Sequence, residues 1–161
     1  MIHLQTVDPF PFGRYPQLKN IWPEESQKLM EEAVLADWSS GSVFYIMQDA
    51  QVVGLTGIFF EDNNRDYAFL RWTGIVPYHR GYGIGGFALE LIGRMAYNVS
   101  GSKYLVELVP DNEYGKPIEV WFRKQGFEDF VGHAVTLEEH DHQKLKPLAL
   151  NLEKLYGSES E

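Results

Sequence analysis

The chain has 161 residues, 44% of them hydrophobic, which fits one folded domain with a substantial core. Its formal net charge of −9 argues against nucleic acid or an anionic membrane as partner, since both need a basic footprint, and suits a cationic small molecule or a merely well-solvated surface. With no cysteine there is no disulfide, no thiolate nucleophile and no zinc–thiolate site.

The opening "MIHLQTV" reads as a strand and lacks the basic start and apolar run of a signal peptide. "YPQLKNIW" and residues 24–38 read as helices, the second with acids in its first turn. Residues 40–76 read as three strands, divided by "QDAQ" and by the turn-rich "EDNNRD". A glycine-rich loop follows, "HRGYGIGG" at 79–86, and then a helix in which Ile84, Ala88, Leu91, Ile92 and Met95 recur at helical spacing. That helix should end before "SGS" at 100–102. "KYLVELVP" (103–110) is a compact strand, and "KPIEVWFRKQGF" a short helix with Pro117 in its first turn and Gly126 just past its end. Two more strands are expected at about 127–137 and 146–155. The order is a meander followed by helix crossovers, a mixed α/β or α+β sheet. No apolar run approaches the roughly 18 residues of a membrane span. One domain over 1–156, a frayed polar tail at 157–161 and a cytoplasmic location are the expectations.

Four glycines in the loop, Gly81, Gly83, Gly85 and Gly86, need a reason, because glycine costs backbone entropy. The loop lies between a strand and a helix, where unpaired N–H groups and a positive dipole end face outward. Phosphate or pyrophosphate is the natural ligand there; the plain alternative is a tight, closely packed turn. Gly81, Gly83 and Gly86 satisfy G-x-G-x-x-G, with Glu107 near the place of a ribose-binding acid, so a dinucleotide reading and an oxidoreductase remain open. Against it, "PYHR" separates loop from strand, and too little chain follows for a doubly wound sheet.

"VPYHRGYGIGG" also resembles the R/Q-x-x-G-x-G/A signature of the GNAT superfamily of N-acetyltransferases, through Arg80, Gly83 and Gly85, with Pro77 three residues ahead. "WFRKQGF" (121–127) resembles that family's "FYEKLGF"-like helix ending, and the order of elements fits over nearly the whole chain. The resemblance implies a mostly antiparallel central sheet flanked by helices, with a splay between the two central strands. It implies acetyl-CoA as acyl donor, with its pyrophosphate on the backbone N–H groups of Arg80, Gly81, Tyr82, Gly83, Ile84, Gly85 and Gly86. It places the pantetheine arm along Ile75 and Val76, and makes Asn112 a CoA contact; the ordinary alternative for Asn112 is a turn or helix cap. A homodimer is compatible with it.

Transfer to an amine has its own chemistry. An alkylamine of pKa near ~10.4 is neutral in roughly one molecule in 2,500 at pH 7, a shortage worth about 4.6 kcal/mol. A general base therefore helps. The resemblance puts a carboxylate base near the start of the strand before the loop, which lands on Tyr67, flanked by Asp66; Glu61 across the turn and Glu107 on the next strand are further candidates. Each acid also reads as an ordinary solvated strand-end residue. Members often carry a tyrosine as acid four residues before the glycine of the G-F ending; here it is Phe122, and Tyr114 or Tyr78 would have to substitute. His140 and His142 sit among acids in "EEHDHQ", a weak metal pattern better read as a hairpin loop, so no metal is expected. Phe10, Phe12, Tyr15 and Trp22 lie where an acceptor pocket is often lined, or simply pack. The reading is direct acetyl transfer to a primary amine, with a non-catalytic acyl-CoA-binding domain as the alternative.

Overall fold

A computed structural model describes residues 1–7, 11–22, 24, 27, 41–60, 64–71, 73–130 and 145–157. Strand β1 is Ile2–Thr6. A single helical turn α1, Pro11–Arg14, leads into a 3-10 turn at Pro16–Asn20, where a longer helix was expected. The expected helix over 24–38 lies almost wholly outside the described residues.

β2 (Gly41–Gln48) and β3 (Gln51–Phe59) form a hairpin, and Asp49 takes the left-handed φ of 52° that a two-residue turn demands. Next come β4 (Tyr67–Leu70), β5 (Gly74–Ile75), a 3-10 turn (Pro77–His79), the long helix α2 (Ile84–Ser100) and β6 (Tyr104–Pro110). Helix α3 (Gly115–Lys124), β7 (Glu128–Asp129), β8 (Leu145–Asn151) and helix α4 (Leu152–Tyr156) complete the chain. The last strand therefore stops four residues short of the expected 155. Asn151 ends it by accepting a hydrogen bond from Lys154 N at 3.0 Å, and Leu152 and Tyr156, four apart, bury one helical face. Of the strand expected at 127–137, two residues pair as β7; residues 131–144 are outside the description.

The strands form one sheet in the order β1-β2-β3-β4-β6-β8-β7, with β5 also on β3. β4 and β6 pair in parallel, and every other pairing is antiparallel. A parallel pair needs a crossover, and α2 supplies it. Leu89, Ile92 and Ala96 of α2, Phe122 of α3 and Leu152 of α4 pack on Ile58, Ala68, Leu105, Val109 and Leu148. On the opposite face, Phe12 and Leu18 cover Val43, Tyr45 and Leu55, while Phe69, Val106 and Phe130 form an aromatic-rich cluster beside them. Each such burial contributes about 1.5–3 kcal/mol, so both layers hold the sheet.

Candidate active site

Sheet register opens a slot at the centre. Ile58 pairs with Leu70, but Leu55 pairs with Gly74, so the β4–β5 side carries one extra residue between them. This is a bulge, and bulges bend the strand that carries them. β4 and β6 pair from Tyr67↔Tyr104 to Phe69↔Val106 and no further. Beyond that point β6 continues from Glu107 to Pro110 against β8 alone, while β5 stays on β3. The expected splay is the gap between β5 and β6. Thr73 in the bulge shares a hydrogen bond with Thr56 at 3.1 Å, a hydroxyl pair that sequence reading missed because no motif announces a bulge.

The main chain of β5 faces this gap. Val76 N–H donates to Val53 O at 2.8 Å, on the β3 side. Antiparallel strands alternate, so the N–H and C=O of Ile75 point the other way, into the slot. Arg80 folds back there, donating from Nε to Ile75 O at 2.9 Å.

The glycine loop sits at the slot's end. Gly81 and Gly83 have φ of 88° and 78°, a region that side chains with a Cβ resist, and nothing lies within 4 Å of where either Cβ would stand. Gly83 is the N-cap of α2 and offers no side chain to cap it. Phe87 N–H makes the first bond back, to Gly83 O at 3.2 Å. Among the described residues the N–H groups of Gly81, Tyr82, Gly83, Ile84, Gly85 and Gly86 have no acceptor. Six unpaired donors and the positive dipole end thus lie together at the start of α2, the chemistry that suits an anion. Residues 67–89 add Arg71, His79 and Arg80 and no carboxylate, in a chain of net charge −9. At Gly85 and Gly86 the missing side chain also allows close packing: Trp121 of α3 and Gln125 at its C-cap come within 3.1 and 3.3 Å of where their Cβ atoms would lie.

Glu107 is the first β6 residue past the paired segment and so lines the slot. Strand alternation sets it on the face of Leu105 and Val109, toward α2 and α3. It keeps partial contact with solvent, yet the protein around it dominates, and burial pushes its pKa up to about 8. No ion pair or hydrogen bond engages it among the described residues.

The other expected acids lie elsewhere. Asp66 is exposed at the closed end of the β4–β6 pair, where its backbone O accepts from Lys103 and Tyr104 N–H. Tyr67 packs its ring on Tyr104 and Phe130. Glu61, Phe10 and the His140–His142 loop are outside the described residues. Asn112 Oδ1 accepts from Gly115 N–H at 3.0 Å and so ties down the entry to α3. Gly115 is a requirement the sequence did not reveal: an added Cβ would lie 1.7 Å from Pro110 O. Phe12 is core, Tyr15 stacks edge-on against Tyr45, and half-buried Trp22 lies over Gly74 of β5.

Tyr78 and Tyr114 are exposed loop residues, 88% and 70%. Phe122 is buried, edge-on to Trp121 and Phe127. Restoring a tyrosine there should therefore not restore an acid. Phe122→Tyr is expected to leave kcat unchanged and to lower stability by about 1–3 kcal/mol, the cost of a buried unpaired hydroxyl. Urea denaturation beside a steady-state assay checks this; a rise in kcat at unchanged stability would contradict it.

The model of the family described as Acetyltransferase (GNAT) matches residues 8–127. No curated protein matches the chain in sequence. Among solved structures, a GNAT-family protein from Desulfovibrio desulfuricans is similar at 12% identity, covering 94% of this chain and 98% of its own, with a TM-score of 0.73. A dodecameric spermidine N-acetyltransferase from Vibrio cholerae is similar at 19% identity, 99% and 98% coverage and a TM-score of 0.67. A spermidine N-acetyltransferase from the same organism, in complex with CoA and spermine, is similar at 15% identity, 95% and 96% coverage and a TM-score of 0.66.

Proposed function

The chain belongs to the acetyltransferase (GNAT) family, as an acetyl-CoA-dependent N-acetyltransferase, and on that premise we propose that it acetylates a primary amine of a cationic small molecule of polyamine type. The observation that carries the site is the run of six unpaired N–H groups, Gly81 to Gly86, at one end of a slot whose wall holds Glu107. Acetyl-CoA supplies an activated acyl group as a thioester. The N–H groups from Gly81 to Gly86 hold its pyrophosphate, with the Arg80 side chain beside them because Arg80 N–H is bonded to Pro77 O, and the slot edge at Ile75 takes the pantetheine arm, since Val76 N–H and O are bonded to Val53 and His79. The net charge of −9 and the spermine held by a similar fold support the cationic acceptor.

Glu107 moves the proton in this reading. With a pKa of about 8 it is ionised in roughly a tenth of molecules at pH 7. The neutral amine attacks the thioester carbonyl carbon, and Glu107 carboxylate takes the proton from the nitrogen, directly or through one water. The C–S bond then breaks. Glu107, now a carboxylic acid, returns the proton to a sulfur whose thiol pKa is near ~8.5, close to its own. One residue thereby serves as base and acid, which accounts for phenylalanine at 122. With no cysteine in the chain, no acyl-thiol relay is available.

The reading includes a cytoplasmic enzyme that self-associates at least as a homodimer; the dodecameric relative supports this, and light scattering at the mass of one chain would remove it. The function is tested by following CoA release with spermidine, spermine, amino acids and peptides as acceptors. Turnover confined to the polyamines fits the proposal. Acetyl-CoA binding with no turnover on any amine would leave a non-catalytic acyl-CoA-binding domain, and preference for peptides would remove the cationic small molecule.

A further inference from the structure

We infer that Arg80 exchanges partners when the acyl donor binds, leaving the Ile75 carbonyl for the phosphates, so that it opposes the arm of the donor while favouring its nucleotide. The inference rests on the function proposed above. It starts from a hydrogen bond in an unexpected place. Arg80 is exposed and sits immediately before the glycine loop, yet it turns its Nε onto Ile75 O at 2.9 Å instead of toward the open N–H cluster. Ile75 is not an arbitrary acceptor. Val76 N–H is used on β3, so Ile75 holds the outward main-chain pair of β5, the edge that looks across the slot toward β6. Pantetheine carries two amides, and an amide desolvated in a slot needs backbone partners. The Ile75 C=O and N–H are the edge groups placed to serve it. In the free protein a guanidinium already occupies that carbonyl and crowds its approach.

Release has a second consequence. The freed guanidinium lies next to Gly81–Gly86, where a pyrophosphate gives it a charged acceptor, and charge-assisted bonds are about twice as strong as bonds to a neutral carbonyl. One side chain thus couples the two halves of the donor with opposite signs. It resists an arm that comes without phosphates and assists a nucleotide that comes without an arm. A residue that merely clipped the loop to β5 would affect both halves in the same direction.

That difference is measurable with fragments. The purified full-length chain and its Arg80→Ala and Arg80→Lys variants are titrated with acetyl-CoA, S-acetylpantetheine and 3′-phospho-ADP, using ligand-detected NMR for the weak fragment. For Arg80→Ala, binding of 3′-phospho-ADP is expected to weaken about tenfold and binding of S-acetylpantetheine to tighten about three- to tenfold. Arg80→Lys keeps the charge without the Nε geometry, so it should tighten the arm while nearly preserving the nucleotide. S-acetylpantetheine binding that is unchanged or weaker in Arg80→Ala overturns the exchange while the function stands. Failure of the unaltered chain to bind acetyl-CoA at all would overturn the function, and the exchange with it.

Discussion

Glu107→Gln is expected to lower kcat/KM for acetyl transfer by about 10²–10³-fold, within the usual range for losing a general base. The pH profile identifies the cause. Burial holds the Glu107 pKa at about 8, so the active carboxylate form fills in as pH rises through that value. The native enzyme should show a limb in kcat/KM that climbs to about pH 8, over and above the slope from amine deprotonation. The glutamine variant should keep only the amine slope. An equal loss at every pH would mean that Glu107 only shapes the slot. Stability supplies an independent reading. The folded chain holds a proton on Glu107 that the unfolded chain releases near pH 4.5, so this group's contribution is fully present below about 4.5 and is lost as pH rises toward 8. Glu107→Gln removes that loss. Urea midpoints should be similar at pH 5, while at pH 9 the variant should be the more stable of the two, a residue kept for chemistry at a cost to folding.

Gly83→Val is expected to weaken acetyl-CoA at least 100-fold in calorimetry. The position has φ of 78°, and nothing lies within 4 Å of the new Cβ, so the fold pays backbone strain of about 1–2 kcal/mol and no clash. The branched side chain instead stands in open space at the start of α2, beside the unpaired N–H groups of Gly81 to Gly86. A folded variant with unimpaired acetyl-CoA binding would show that the pyrophosphate sits elsewhere. Gly115→Val makes a useful contrast, since its Cβ would meet Pro110 O at 1.7 Å and the loss should fall on stability first.

Local chemistry was legible and long-range register was not. The break between strand and helix at the glycine loop could be read from four glycines before an apolar helical stripe, and Gly83 does cap α2. Ile84, Ala88 and Ile92 of the stripe are buried as read, Leu91 and Met95 are only partly so, and Leu89, Gly93 and Ala96 complete the buried face. Asn151 escaped notice because Leu148, Leu150 and Leu152 alternate perfectly, and alternation does not reveal that a cap has intervened after two of them. The carboxylates were the hardest. Asp66 and Glu107 look alike in a sequence, and what separates them is which side of the last β4–β6 pair each occupies. That depends on a bulge between Leu70 and Gly74, which is a relation between two strands and leaves no mark in either one alone.

The same bulge gives the sheet an unusual mechanics. β1 to β5 form one ribbon and β6, β8 and β7 another, and among the described residues their strands are stitched together only from Tyr67↔Tyr104 to Phe69↔Val106. Two stiff boards fastened at one end behave as a pair of tongs. Widening the free end breaks no strand-to-strand hydrogen bond, while its resting gap is set at the fastening, where Ala68 and Leu105 are fully buried. Leverage magnifies any change made there, so a methyl group added at Ala68, far from the glycines, would alter which acyl groups fit between the jaws.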